Sequence, residues 1–256
     1  MSSEDVAFAD SVRKSSVRLA VVIGVRSVRS SSRLASFGLA ARRRVSESLR
    51  RLRRRGHTHP TLSARRYASR QRVPWEMTTT ANSEETVRLL RAHGVDHVIS
   101  RGAGILRPIL LDAPGLVFLN AHAGRLPRYG GMNVVEWAVF HGDPVYGTVH
   151  RIDRGIDTGD VLDERPLDLG RPSTVPALRA AAFAGAWAMV APALEGLAAG
   201  RLRFRPQGDS TERTQWFRMH PMLLERVREK LRDGRFFDRQ EEECRTFDSR
   251  IKKEHR

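Results

Sequence analysis

Asn120, His122 and Asp157 are the residues whose types and spacing can do acid–base chemistry together. Asn120 closes the apolar run Leu116-Val117-Phe118-Leu119, which places it at the C-terminal end of a strand, where open α/β sheets carry their chemistry. His122 follows two residues later at the same edge, and Asp157 sits in the tight loop Gly155-Ile156-Asp157-Thr158-Gly159. An amide donor can stabilise an oxyanion, an imidazole can move a proton, and a carboxylate can hold that imidazole in one tautomer.

The elements that must position these groups follow from pattern and punctuation. Val17 to Ile23 reads as a buried first strand closed by Gly24, and Val25 to Arg33, with Ser30-Ser31-Ser32, as a connecting loop, with a phosphate site as the alternative. Residues 34–55 have the loose apolar spacing of an amphipathic helix, dense at Arg42-Arg43-Arg44 and Arg53-Arg54-Arg55 and stopped by Gly56 and Pro60; 57–72 read as a polar surface loop. Pro74 to Thr79 is an expected strand, Asn82-Ser83-Glu84-Glu85 a helix cap with an acidic first turn, and Val95 to Ser100 the next strand. This strand, cap, helix, strand order implies α/β winding. Beyond Asn120, Arg125 to Gly131 reads as a loop, Val134 to Phe140 as a short helix and Tyr146 to Ile152 as a strand. On that strand Thr148 and His150 recur at period two, and His150 reads as a strand residue with a site role as the alternative, His141 as a surface one. Val161-Leu162 starts a further strand, and Ser173-Thr174 caps an alanine-rich helix that ends at Gly200.

A chain of 256 residues with 40% hydrophobic content can bury a full core, and it divides into one large domain with appendages. The expected divisions are an N-terminal extension over 1–16, a catalytic domain over 17–200 with a basic helical insertion at 34–72, and a short charged C-terminal extension over 201–256. The lone Cys244 cannot form an internal disulfide and has no role here, and Met1-Ser2-Ser3-Glu4-Asp5 lacks a secretory pattern, so the expected location is the cytoplasm. Ala180 to Ala199 contains Pro192 and Glu195 and reads as a core helix rather than a transmembrane segment. Of the net charge of +16, residues 1–72 carry +14, 73–200 carry −3 and 201–256 carry +5. Any attraction to nucleic acid therefore acts through the ends, and without interleaved aromatics an RNA partner is not favoured.

The residues Gly104-Ile105-Leu106, Asn120-Ala121-His122-Ala123-Gly124, Leu126-Pro127-Arg128-Tyr129-Gly130, Trp137-Ala138, Gly142-Asp143, Gly147-Thr148-Val149-His150 and Gly155 to Gly159 stand in one order. In that order and spacing they resemble the formyltransferase family, enzymes that move a formyl group from 10-formyltetrahydrofolate to an amine. The resemblance covers roughly residues 83 to 200, and the first strand only weakly. It implies a Rossmann-like open twisted, mostly parallel sheet flanked by helices. It also implies that Asn120, His122 and Asp157 form the catalytic group around a tetrahedral intermediate, with no metal and no covalent enzyme intermediate. The folate donor is expected at the loop Gly104, Ile105 and Leu106, read by backbone groups, with Thr158 also on the folate side; Asn133 is expected at most to support the catalytic group. Ala123-Gly124-Arg125 and Arg128-Tyr129-Gly130 depart from the family's usual order after the histidine, so the loop's part in acceptor binding does not carry over.

Residues 201–256 are too few for the C-terminal barrel of methionyl-tRNA formyltransferases. They are patterned as a charged helix, Met222 to Leu231, plus a tail, while Gln207 and Gln215 to Met219 read as a closing element over the core. The expected activity is formyl transfer to a small or carrier-linked amine, such as an amino sugar or a natural-product intermediate. Hydrolysis of 10-formyltetrahydrofolate and formylation of methionyl-tRNA are the alternatives within chemistry. An RNA-binding or partner-binding protein built on the basic helix is the alternative outside it.

Overall fold

The structure is a computed structural model that describes residues 11–12, 14–25, 65–66, 68–69 and 72–254. The connecting loop with Ser30 to Ser32, the arginine-rich helix expected at 34–55 and most of the 57–72 loop lie outside the described residues.

The first unit is small. β1 (Val22–Val25) pairs parallel with β2 (Trp75–Thr78). Gly24 lies inside β1, paired with Met77, rather than closing it, and glycine is needed there because a Cβ would come within 2.7 Å of the Trp75 ring and the Met77 sulfur. α1 (Glu84–Ala92) starts as expected, with the Ser83 side chain accepting from the Thr86 N–H and Glu84 and Glu85 in the first turn. β3 (His97–Ile99) and the single turn α2 (Pro108–Leu111) follow. Val87, Leu90, Leu106, Leu110, Leu116 and Phe118 bury their side chains together between these elements.

β4 (Val117–His122) is where the sheet changes direction: it is parallel to β3 but antiparallel to β6 (Tyr146–Arg151), which pairs antiparallel with β7 (Val161–Pro166). The architecture is α/β and Rossmann-like, with three parallel and two antiparallel strand pairings among the described residues, and the site strands lie on the antiparallel side. β4 also runs two residues past Asn120, so Asn120 lies opposite His150 and His122 opposite Thr148.

β5 (Gly130–Gly131) leads into α3 (Val134–His141), which ends at the left-handed Gly142. α4 (Val175–Ala188), capped by Thr174, is followed after Met189 by α5 (Val190–Ala198). The expected single helix is broken there because the ring of Pro192 conflicts with the carbonyl one turn earlier. Val175–Ala198 is long and apolar enough to cross a membrane. In this fold Leu178, Ala182, Ala186, Val190 and Ala193 pack into the larger core.

β8 (Gln215–Trp216) pairs parallel with β5. α6 (Pro221–Asp233) follows, and the expected tail is instead the 20-residue helix α7 (Arg235–Glu254). Val227, Leu231, Phe236 and Phe237 belong to the larger core, so these helices cover it rather than trail from it. The Gln240 side chain accepts from the Val145 N–H at 2.7 Å and donates to the Val145 and Leu167 carbonyls at 3.0 and 2.8 Å. It satisfies backbone groups just outside β6 and β7 that burial would otherwise leave costly.

Candidate active site

The local chain between β4 and β5 turns tightly, and Gly124 permits it. A Cβ at Gly124 would lie 2.5 Å from the Tyr129 carbonyl oxygen and 2.8 Å from His122 Nε2. His122 Nε2 is 2.6 Å from that same carbonyl, which can only accept, so Nε2 carries a proton. The other ring nitrogen, Nδ1, lies 3.6 Å from Asp157 Oδ2. His122 is buried and Asp157 half-buried, at 8% and 14% side-chain exposure, where a charge interaction is stronger than in water.

His150 joins this group from β6. Its Nδ1 donates to the Arg151 carbonyl at 2.8 Å, which leaves Nε2 with the lone pair in the neutral ring. Nε2 faces the Asn120 amide nitrogen at 3.4 Å and Asp157 Oδ1 at 3.6 Å. Burial, reinforced by the neighbouring His122, pushes the His150 pKa down to about 4, so the ring is neutral near pH 7 and accepts from the Asn120 N–H. Asn120 retains its second N–H for another acceptor. The two carboxylate oxygens of Asp157 thus each face one histidine, and Oδ2 also accepts from the Gly131 N–H at 2.8 Å. In the sequence His150 is marked by period-two spacing on a strand and by its place in Gly147-Thr148-Val149-His150, and the register sets it opposite Asn120.

Asp157 has φ +52°, in the left-handed region that a residue with a Cβ seldom enters and that aspartate tolerates better than most. Its loop is closed from within by Asp153, which accepts from the Gly155 N–H at 3.0 Å and from the Thr158 hydroxyl. Thr158 is therefore a loop-closing group in this geometry, and Asn133 bridges the start of α3 to the Met219 N–H at 3.1 Å. From the other side Gln207 donates to the Asp157 and Gly159 carbonyls at 2.8 and 2.9 Å.

The loop Gly104, Ile105 and Leu106 is built differently. Gly104 is left-handed at φ +79°, Ile105 is 77% exposed and Leu106 is buried among the residues of the smaller core. The Asn82 side chain donates to the Ile105 carbonyl at 2.9 Å and accepts from the Arg107 N–H at 2.7 Å. Between those two clamps the backbone N–H and carbonyl of Leu106 make no hydrogen bond among the described residues. Phe118 packs in the same core as Leu106 and lies two residues before Asn120 on β4, so one strand serves both the loop and the polar group.

Of the remaining residues picked out from the sequence, Arg128 pairs with Asp143 at 2.8 Å, and the Tyr129 hydroxyl donates to Asp143 at 2.6 Å. Tyr129 and Trp216 stack at 6.0 Å, and Trp216 and Trp137 at 4.5 Å, which fixes β8 against α3. His141 contacts these rings and stays apart from the Asp157 group.

The fold and this group define an α/β protein in which an amide, two histidines and a carboxylate meet at the interior strands β4 and β6, a set that can stabilise negative charge and move a proton. Residues 42–182 match the sequence model of the formyl transferase family, more than half of the chain, and the chain belongs to that family. The match covers Gly104 to Leu106, Asn120, His122 and Asp157 and ends inside α4. Among curated relatives, the methionyl-tRNA formyltransferase of Methylobacterium nodulans is 42% identical over 96 residues, 37% of this chain and 31% of the relative. That of Clavibacter michiganensis is 31% identical over 169 residues, 61% of this chain and 55% of the relative. The similarity therefore spans about a third to a little over half of the length of these relatives. Among solved structures, glycinamide ribonucleotide transformylase 1 from Symbiobacterium toebii superposes with a TM-score of 0.55 at 22% identity, over 79% of this chain and 88% of that one. Phosphoribosylglycinamide formyltransferase from Bacillus halodurans gives 0.53 at 18% identity, over 77% and 90%. These likenesses are of fold.

Proposed function

We propose that this chain transfers a formyl group from 10-formyltetrahydrofolate to the amine of a small or carrier-linked acceptor. The observation that carries the reading is the placement of Asp157 between two buried histidines, with each oxygen 3.6 Å from a ring nitrogen and with the Asn120 amide beside them. The folate donor supplies an activated formyl carbon. The free N–H of Asn120 is the donor for negative charge gathering on the formyl oxygen, and its amide is held in place by neutral His150. His122 is fixed through Nε2 to Tyr129, so Nδ1 is the nitrogen left to exchange a proton with Asp157: the acceptor amine bonds to the formyl carbon and gives a proton to this pair, the pair passes it to N10 of the folate, and the bond from N10 to the formyl carbon breaks to release tetrahydrofolate and the formamide. The loop fits a folate: the unpaired Leu106 peptide offers a donor and an acceptor to a heterocycle edge, and the exposed Ile105 offers an apolar cover.

The test is mass spectrometry of an amine-metabolite pool incubated with protein and formyl donor, with a gain of one formyl group on one amine as the expected result. Equal loss of donor with and without amines would instead assign hydrolysis. A second reading, an aminoacyl-tRNA acceptor, is favoured by the names of the curated relatives, and methionyl-tRNA added to the same assay tests it.

A further inference from the structure

The segment from Arg205 to Trp216, which makes one 3-10 turn at Ser210–Glu212, touches both halves of the Asp157 environment. At one end Val161 and Arg205 exchange backbone hydrogen bonds of 2.8 and 2.9 Å, which ties the segment to the start of β7 just beyond the Asp157 loop. At the other end the Gly130 N–H donates to the Thr214 carbonyl at 3.2 Å and the Met132 N–H to the Trp216 carbonyl at 2.9 Å. Those bonds flank Gly131, the residue whose N–H holds Asp157 Oδ2. Gln207 lies between the two ends, and its two amide hydrogens are both used on carbonyls of the Asp157 loop. Asp157 occupies a left-handed backbone that relaxes unless something holds it. A carboxamide is the side chain that can donate twice from one atom at this length, whereas a carboxylate of the same shape would turn both contacts into repulsions.

We infer that Gln207 is a positioning residue for the reaction: it fixes the Asp157 loop so that the carboxylate stays seated between His122, His150 and the Gly131 N–H. This inference rests on the formyl-transfer reading for its kinetic consequence, but not for its structural one. Gln207 touches no reacting atom, so it acts through Asp157, and a misplacement of about 1 Å is enough to lower turnover by about 100-fold.

The experiment compares wild type with Gln207→Glu, and with Gln207→Ala as the uncharged alternative if the first does not fold. Two readouts are taken: hydrogen exchange at the Gly131 amide, and kcat and KM with the folate donor and the amine found above. The expected result is exchange at Gly131 faster by at least about tenfold while amides of α4 keep their protection. With it, kcat falls by about 10- to 100-fold and the donor KM stays within about twofold. Unchanged Gly131 exchange overturns the inference, and so does a loss of protection spread evenly through α4 and β6, which marks a merely structural glutamine. A wild-type protein that formylates nothing defeats the functional reading instead, and exchange alone then decides the role of Gln207.

Discussion

Asp157 faces two buried histidines and accepts a backbone N–H, while Ile105 has 77% of its surface in solvent and is steadied through its carbonyl by Asn82. The two regions are joined through β4, yet they are held by opposite means. In the Asp157 group, where the proposed chemistry falls on side chains, backbone carbonyls and N–H groups of Tyr129, Arg151 and Gly131 orient them. In the 104–106 loop the backbone is the presented part, and side chains, Asn82 and the buried Leu106, do the orienting. A site that moves protons needs groups with fixed tautomers in a weakly screened place, whereas a site that reads a heterocycle edge needs only an exposed peptide held still.

The comparison is tested most severely by removing charge without changing shape. Asp157→Asn is expected to lower turnover by about 10²- to 10⁴-fold with little change in thermal unfolding, measured by formyl-donor consumption and calorimetry. In the loop the largest effect should fall on stability instead: Leu106→Ala removes a core side chain and should cost about 2–5 kcal/mol in urea unfolding. If Leu106→Ala abolished turnover in a protein of unchanged stability, the contrast between the regions would collapse.

A pH series sharpens the same contrast. The His150 pKa is depressed from 6.5 to about 4 in the fold, so between those values the unfolded chain binds the extra proton. Stability from this residue is therefore complete above about pH 6.5 and is lost as the pH falls toward 4, by on the order of 1–3 kcal/mol. Urea titrations at pH 7 and pH 5 should show that slope in wild type and a shallower one in His150→Gln. Asn82→Ala should cost about 1 kcal/mol and raise the donor KM with kcat nearly constant, because it loosens the presented backbone alone. The smallest effect is expected from Ile105→Ala, within about 0.5 kcal/mol of wild type in the same titration, with a rise in donor KM as its only mark.

Much of this molecule is legible along the chain. Ser83 and Thr174 cap helices because a hydroxyl before an apolar run satisfies N–H groups a few residues away, and that chemistry is local. The α/β order, the closing role of Gln215 and Trp216 against β5 and the family itself follow from residues in sequence. What the tertiary structure decided depends on pairings between distant segments. The antiparallel register of β4 and β6 set His150 against Asn120, 30 residues apart, and brought a strand residue into the candidate site. The charged tail became α7 because Phe236 and Phe237 find a core made by other helices and Gln240 finds backbone groups 95 and 73 residues away. Periodicity tells a residue which face it occupies; only the packed sheet supplies the partner on that face, because a hydrogen bond or an ion pair depends on ångström separations that no spacing along the chain encodes.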